Sequence, residues 1–176
     1  MKFNNNRKGF SIIEVIIAIA ILLVGILGVY GAFFAITSAT AGISNRFIAS
    51  YLGQEGLEII RNLRDKNFIA KTVPWSSGLT VAPCTPPTGC QADYKAQSAS
   101  DLQSFASTPL LINSDGLYEY GSGSASLFQR RITVTPVTIL GAADALNVVV
   151  SVTWTYKGQL LTYDVNEYLY NWNTAH

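Results

Sequence analysis

Between Val15 and Ile36 the chain reads VIIAIAILLVGILGVYGAFFAI, 22 residues without a charged side chain. Wound as a helix, such a stretch is roughly 33 Å long, enough to cross the hydrocarbon core of a bilayer. A helix that is apolar all round must be covered all round, by lipid or by protein. The nine residues before Phe10 carry Lys2, Arg7 and Lys8 and no acid, whereas no charge follows Glu14 until Arg46. Basic residues on one flank alone orient a spanning helix with that flank in the cytoplasm and the remainder outside. The apolar block also skews the composition: 49% of residues are hydrophobic, only 13% are charged, and the formal net charge is +1. A chain of this kind is not intrinsically disordered, and it lacks the basic excess of a nucleic-acid binder. Its 176 residues allow one domain with an accessory element, not two full domains.

Three accounts of the apolar block compete. A cleaved secretory signal has a shorter apolar core, about 7–15 residues, before a small-residue site. Ala39-Thr40-Ala41 has the right composition for such a site, but the run before it is too long and opens on an acid. A plain single-pass anchor fits the length and leaves Glu14 unexplained, since a carboxylate in or near hydrocarbon costs about 3 kcal/mol. The third account starts from Lys8-Gly9-Phe10-Ser11-Ile12-Ile13-Glu14. This string resembles the processing site of type IV prepilins and of the pseudopilins of type II secretion. The shared features are a basic leader ending in Gly, an apolar aromatic, a Glu four positions later and an uninterrupted apolar helix.

The resemblance implies cleavage between Gly9 and Phe10 by a prepilin peptidase and N-methylation of Phe10. It also implies a role for Glu14 in assembly with other pilin subunits on a pilus assembly platform, from a store in the lipid bilayer. The chemistry gives the pattern a reason. Cutting after Gly9 creates an α-amino group whose ordinary pKa is about 7.7–8.0. Burial in an apolar core disfavours both that cation and the Glu14 carboxylate, and bringing the amine of one subunit to the acid of its neighbour compensates both. Phe10 and Glu14 lie about 6 Å apart along a helix axis, so a head-to-neighbour contact favours a staggered stack of subunits.

The helical pattern does not stop at Ile36. No proline occurs before Pro74, and Ile43, Phe47, Tyr51, Leu52, Ile59, Ile60 and Leu63 recur close to a 3.6-residue period. One helix is predicted from about Ser11 to Asp65, with a transmembrane or filament-core segment over 10–36 and an amphipathic half over 37–68. Glu58–Arg61 and Arg61–Asp65 have the spacing of intrahelical ion pairs, and Glu55 with Glu58 reads as a solvated charged face rather than a catalytic pair. Glycines at 25, 28 and 31 either permit bending or let helices approach closely. The stretch YLGQEGLEIIRNLRDKNF (51–68) further resembles minor pilins of the pilus-modification type.

After Phe68 the texture changes to turns and small polar residues, and 69–127 is expected to be loop-rich. Cys84 and Cys90 bracket TPPTG, and outside the membrane a short disulfide loop is the first expectation. Asn113-Ser114-Asp115-Gly116 has turn chemistry, with a short strand expected at 117–120. Three β-rich runs follow, at Phe128–Ile139, Leu146–Tyr156 and Leu160–Leu169, within 128–176, the antiparallel β-sheet part of the globular head. Lys157-Gly158 supplies a two-residue hairpin turn that would pair Trp154 with Leu161, Val152 with Tyr163 and Val150 with Val165. Their common apolar face needs a cover, and the amphipathic half-helix offers one. The fold class is therefore α+β: a long N-terminal helix packed on a C-terminal antiparallel sheet. Tyr163, Tyr168, Tyr170 and Trp172 are expected mostly in the core and sheet faces.

No enzyme constellation is present. The single histidine is the terminal His176, and neither a metal-ligand spacing nor a phosphate-cradling loop occurs. The expectation is a non-catalytic structural subunit of a type IV pilus-like filament, without cofactor, metal or nucleic-acid partner. The alternatives are a minor pseudopilin of a type II secretion system and a membrane-tethered extracellular binding domain that keeps its leader.

Overall fold

The computed structural model describes residues 9–139 and 142–172. The basic leader up to Lys8 and His176 lie outside the described residues. The chain divides into two compact units, Met1–Ser44 and Asn45–His176. A single helix, α1 (Ile12–Ala70), contributes to both.

In the first unit the helix is apolar and uncovered: every residue from Gly9 to Thr37 is exposed. Its few hydroxyls bond back to the helix, Thr37 Oγ1 donating to the Phe33 and Phe34 carbonyls (3.1 and 3.0 Å) and Thr40 Oγ1 to that of Ile36 (2.9 Å). Such back-bonding satisfies a polar side chain without water. A Cβ at Gly25, Gly28 or Gly31 would meet nothing within 4 Å, so any close approach these glycines permit is to lipid or to another molecule.

In the second unit, α1 from Asn45 onward buries Leu52, Ile59, Ile60, Leu63 and Phe68 at helical spacing. The sheet beneath is built from strands in chain order: β1 (Cys90–Gln91), β2 (Gln103–Ser104), β3 (Leu111–Ile112), β4 (Tyr118–Glu119), β5 (Ser124–Ala125), β6 (Phe128–Ile139), β7 (Ala142–Tyr156) and β8 (Gln159–Tyr170). Five of them form one antiparallel sheet in the order β2-β1-β6-β7-β8; β4-β3-β5 form a second, small one. On β7, Leu146, Val148, Val150, Val152 and Trp154 are buried toward the helix, each aliphatic contributing about 1.5–3 kcal/mol relative to exposure. The α+β arrangement is thus a helix laid on one face of an antiparallel sheet.

The hairpin register follows the sequence expectation. Trp154 pairs with Leu161, Val152 with Tyr163 and Val150 with Val165. Lys157 (φ 52°) and Gly158 (φ 78°) supply the two left-handed residues that a type I′ turn requires. The Asn113–Gly116 turn forms as well, with Asn113 Oδ1 accepting from the Asp115 and Leu117 N–H groups (both 2.9 Å). β4 lies inside the short strand expected at 117–120.

Several expectations need correction. The helix runs to Ala70 rather than Asp65. Phe68 stays in the core, its ring centroid 5.9 Å from Trp75 and 4.9 Å from Trp172. Asn67 Nδ2 then donates to the Trp75 and Ser77 carbonyls (3.1 and 3.0 Å). Left-handed Lys71 (φ 54°), whose N–H returns to the Asn67 carbonyl (3.3 Å), ends the helix. Of the two expected intrahelical ion pairs, Glu58–Arg61 forms. The other Arg61 bond goes not to Asp65 but to Glu167 on β8 (2.6 Å), and Asp65 pairs with Arg64 (2.7 Å). The loop-rich region contains the small second sheet, of which only β4 was expected; β3 and β5 are two residues long and show no period. Of the C-terminal aromatics expected in the core and on the sheet faces, Tyr163, Tyr168 and Tyr170 lie on the faces of β8 and none is buried: with Trp172 they are 38–67% exposed. Strand β8 is an edge, and Tyr168 and Tyr170 fall on its solvent face.

Two glycines set the distance between the layers. A Cβ at Gly53 would approach Val165 Cγ2 to 3.2 Å, and one at Gly56 would approach Val150 Cγ1 to 2.8 Å and Arg130 Cδ to 3.2 Å. Valine cannot turn away cheaply, because its branched Cβ leaves few rotamers. Gly56→Leu should therefore wedge the helix off the sheet and cost about 3 kcal/mol, read as a lowered thermal midpoint of the head.

Candidate functional site

At the start of α1, Gly9, Phe10 and Ser11 precede the first helical residue, Ile12. The Ser11 carbonyl opens the helix by accepting from the Glu14 and Val15 N–H groups (3.1 and 3.2 Å). Gly9 has open space around its Cα and Phe10 is 81% exposed, so the bond between them stands clear of the helix. Glu14 lies in the first turn, where the helix dipole favours a carboxylate by about 0.3–1 kcal/mol.

Phe10, Glu14, Ala18 and Leu22 recur every four residues and, with Val15 and Ile19, line a shallow groove of about 460 Å³. Glu14 is its only charged residue, and among the described residues no ion pair or side-chain hydrogen bond engages it. An acid on an apolar helix face is costly unless something compensates it. The two residues that sequence reasoning singled out here, Phe10 and Glu14, are thus brought to one face.

Residues 4–30 match the family model for the prokaryotic N-terminal methylation motif. The N-terminus carries this motif. The matched span takes in Gly9, Phe10 and Glu14 and most of the apolar run, and the helix that carries it is long and apolar enough to cross a membrane. No curated protein and no solved structure matches the chain. The motif lies within the first unit, and the head is characterised by its own geometry.

In that head Cys84 and Cys90 are bonded, and both are fully buried. The loop they close is pinned to the sheet, because the Cys84 carbonyl accepts from Val134 N–H (2.9 Å) and Cys90 sits opposite Ile132. The six-residue separation keeps the chain-entropy gain at or below about 3 kcal/mol. These cysteines belong to the second unit and the prepilin-type residues to the first.

Two charged side chains that the sequence reading did not single out organise the head. Arg130 on β6 is fully buried; its Nη1 donates to the Leu52 carbonyl of α1 (3.0 Å) and lies 3.1 Å from Glu55 Oε2, while Nη2 donates to the Ala92 carbonyl (2.5 Å). Glu55 is therefore an ion-pair partner and not simply part of a solvated face. Glu119 on β4, 2% exposed, holds Lys95 Nζ at 2.6 Å and accepts from Tyr94 Oη (3.2 Å), Asn113 Nδ2 (3.1 Å) and Ser122 N–H (3.0 Å). These donors, Lys95 foremost, draw its pKa from the ordinary 4.5 down to about 2. The stabilisation is complete above pH 4.5 and disappears as pH falls towards 2, because the unfolded chain takes up the proton first. Acid unfolding of the head should therefore steepen in that window. Glu119→Gln should make the pH dependence there shallower while lowering stability at neutral pH, as followed by circular dichroism against pH. Asp101 titrates lower for a similar reason, accepting from the Gln97 and Ser98 N–H groups (2.8 and 2.9 Å).

Among the described residues no group of three or more His, Cys, Asp or Glu could hold a metal ion.

Proposed function

We propose that this chain is a structural subunit, and specifically a minor pilin, of a type IV pilus-like filament. A prepilin peptidase would cut between Gly9 and Phe10, and Phe10 would be methylated. The single observation that carries the reading is Glu14: a carboxylate without a partner among the described residues, one helical turn from the new amino terminus, on a helix whose first half is otherwise dressed for hydrocarbon. Before assembly the helix lies in the bilayer with its basic flank in the cytoplasm and the head outside. In the filament, contacts between helices replace contacts with lipid, and the Phe10 amine of one subunit neutralises Glu14 of the next. Nothing in this cycle asks the chain for catalysis; its partners are the peptidase, the assembly platform, other pilins and the bilayer.

The test is the mass of the chain recovered from the membrane fraction. A chain beginning at a methylated Phe10 supports the reading. Retention of residues 1–9 instead supports a permanent tether, and recovery of a chain beginning at Ala41 or Gly42 shows that the apolar run was discarded.

A further inference from the structure

The face of the sheet turned away from α1 carries polar rows set by the strand register. Gln129, Thr153 and Thr162 lie side by side on β6, β7 and β8, and so do Arg131, Ser151 and Asp164. Where these rows meet the segment after β2, the surface is hollowed into a groove of about 280 Å³, whose wall is Phe105 and Ser107. Its polar side chains make no hydrogen bond to other protein groups among the described residues; only Arg131 has a partner, its guanidinium carbon 5.8 Å from the Phe105 ring centroid. The neighbouring larger hollow, about 370 Å³ around Asp93 and Asp101, is different. There Asp93 accepts from the Tyr120 and Lys95 N–H groups, Asp101 caps a turn and Lys95 is held by Glu119. Its charged groups are spent on folding, and the polar side chains of the groove are not.

The aromatic wall is held in place from behind. Phe105 N–H donates to the Gly89 carbonyl (3.1 Å), and Ala106 N–H to Oε1 of the buried Gln91 (3.1 Å). Gly89, next to the disulfide, is left-handed (φ 73°), and a Cβ there would come within 2.8 Å of Arg131 Cγ and 2.9 Å of the Ile132 carbonyl oxygen. Only glycine lets this loop approach Arg131 so closely. Ser107 is also left-handed (φ 56°), a conformation that costs a non-glycine residue about 1 kcal/mol or more and persists only where surroundings enforce it.

We propose that this groove binds an uncharged oligosaccharide. A hexopyranose presents a flat C–H face to an aromatic ring and a rim of hydroxyls that both donate and accept. Phe105 supplies the ring; Arg131 donates, Asp164 accepts, and Ser151, Thr153 and Thr162 do either. Arg131 and Asp164 stand two strand spacings apart, about 10 Å between backbones, and their charges cancel, which favours a neutral ligand over an acidic one. A shallow groove of this kind binds weakly, since the polar groups surrender water for each bond gained.

The test uses the full chain in a detergent without a sugar headgroup, titrated with cellohexaose and with the hexamer of N-acetylglucosamine, and followed by saturation-transfer NMR and calorimetry. At least one of the two should bind with a dissociation constant below about 10 mM. Phe105→Ala and Asp164→Ala should each weaken it by about tenfold or more, with Asp115→Ala, on a distant turn, as an unaffected control. Asp164 is exposed and makes no hydrogen bond or ion pair among the described residues, so that variant stays folded, and thermal midpoints are recorded for all three. Absence of binding by both sugars, or unchanged binding in the Asp164 variant, overturns the proposal. So does binding confined to a sulfated saccharide.

Discussion

Arg130→Ala should lower the stability of the head by about 3–5 kcal/mol, the characteristic cost of removing one member of a buried charged network. The guanidinium reaches three groups at once: the Leu52 carbonyl and Glu55 on α1, and the Ala92 carbonyl just after β1. Alanine would leave the Ala92 carbonyl without its donor, Glu55 without its cation and a cavity under Gly56, whose close approach places Arg130 Cδ against the helix. The charge itself is not a net gain, since Nε is buried without a partner and desolvating a guanidinium offsets much of the attraction. Arg130→Met combined with Glu55→Gln should therefore be far less damaging than Arg130→Ala, because it restores volume and removes both charges. Thermal and urea denaturation of the three chains would check this. If the double variant proves as unstable as Arg130→Ala, the hydrogen bonds rather than the packing hold the layers together.

Arg130 also marks where the sequence was readable and where it was not. Phe128, Ile132 and Val134 alternate on the buried face of β6, and Arg130 shares their parity; that much was available from spacing alone, and a charge in a buried register calls for a partner. Which partner it takes depends on helix packing and was not available. The β7–β8 hairpin was legible for the opposite reason, because the alternation of Val148, Val150 and Val152 and the Lys157-Gly158 turn lie within one short stretch. Arg61 shows the limit of local rules: its helical spacing offered Glu58 and Asp65, yet the bond that crosses layers goes to Glu167, 106 residues away. Strands β3, β4 and β5 are two residues each, too short for any period. At the N-terminus the pattern from Lys8 to Glu14 is contiguous, so the candidate processing and assembly residues could be read directly. The groove beside Phe105 could not, since it needs the register of three strands and a loop held by a disulfide.

Glu14→Gln should abolish filament formation while leaving membrane insertion intact. If the new amine and the Glu14 carboxylate of adjacent subunits meet at about 4 Å with an effective dielectric near 20, their attraction is about 4 kcal/mol. Losing it lowers each subunit's affinity for the growing end by roughly three decades. Glutamine keeps the shape and hydrogen-bonding capacity of the side chain, so a defect in this variant reports charge and not bulk; Glu14→Ala should be equally defective. Glu14→Asp retains the charge one methylene shorter and should assemble weakly rather than not at all. Insertion should not suffer, because removing a carboxylate makes the helix easier to place in hydrocarbon. The variants should accumulate in the membrane, and a methylated Phe10 at their N-terminus would show that processing came before the block. Sheared filaments and membrane fractions, compared by immunoblot, give the readout. Wild-type filament levels from Glu14→Gln would mean that the apolar faces around Ala18 and Leu22 alone drive polymerisation and that the carboxylate serves some other end.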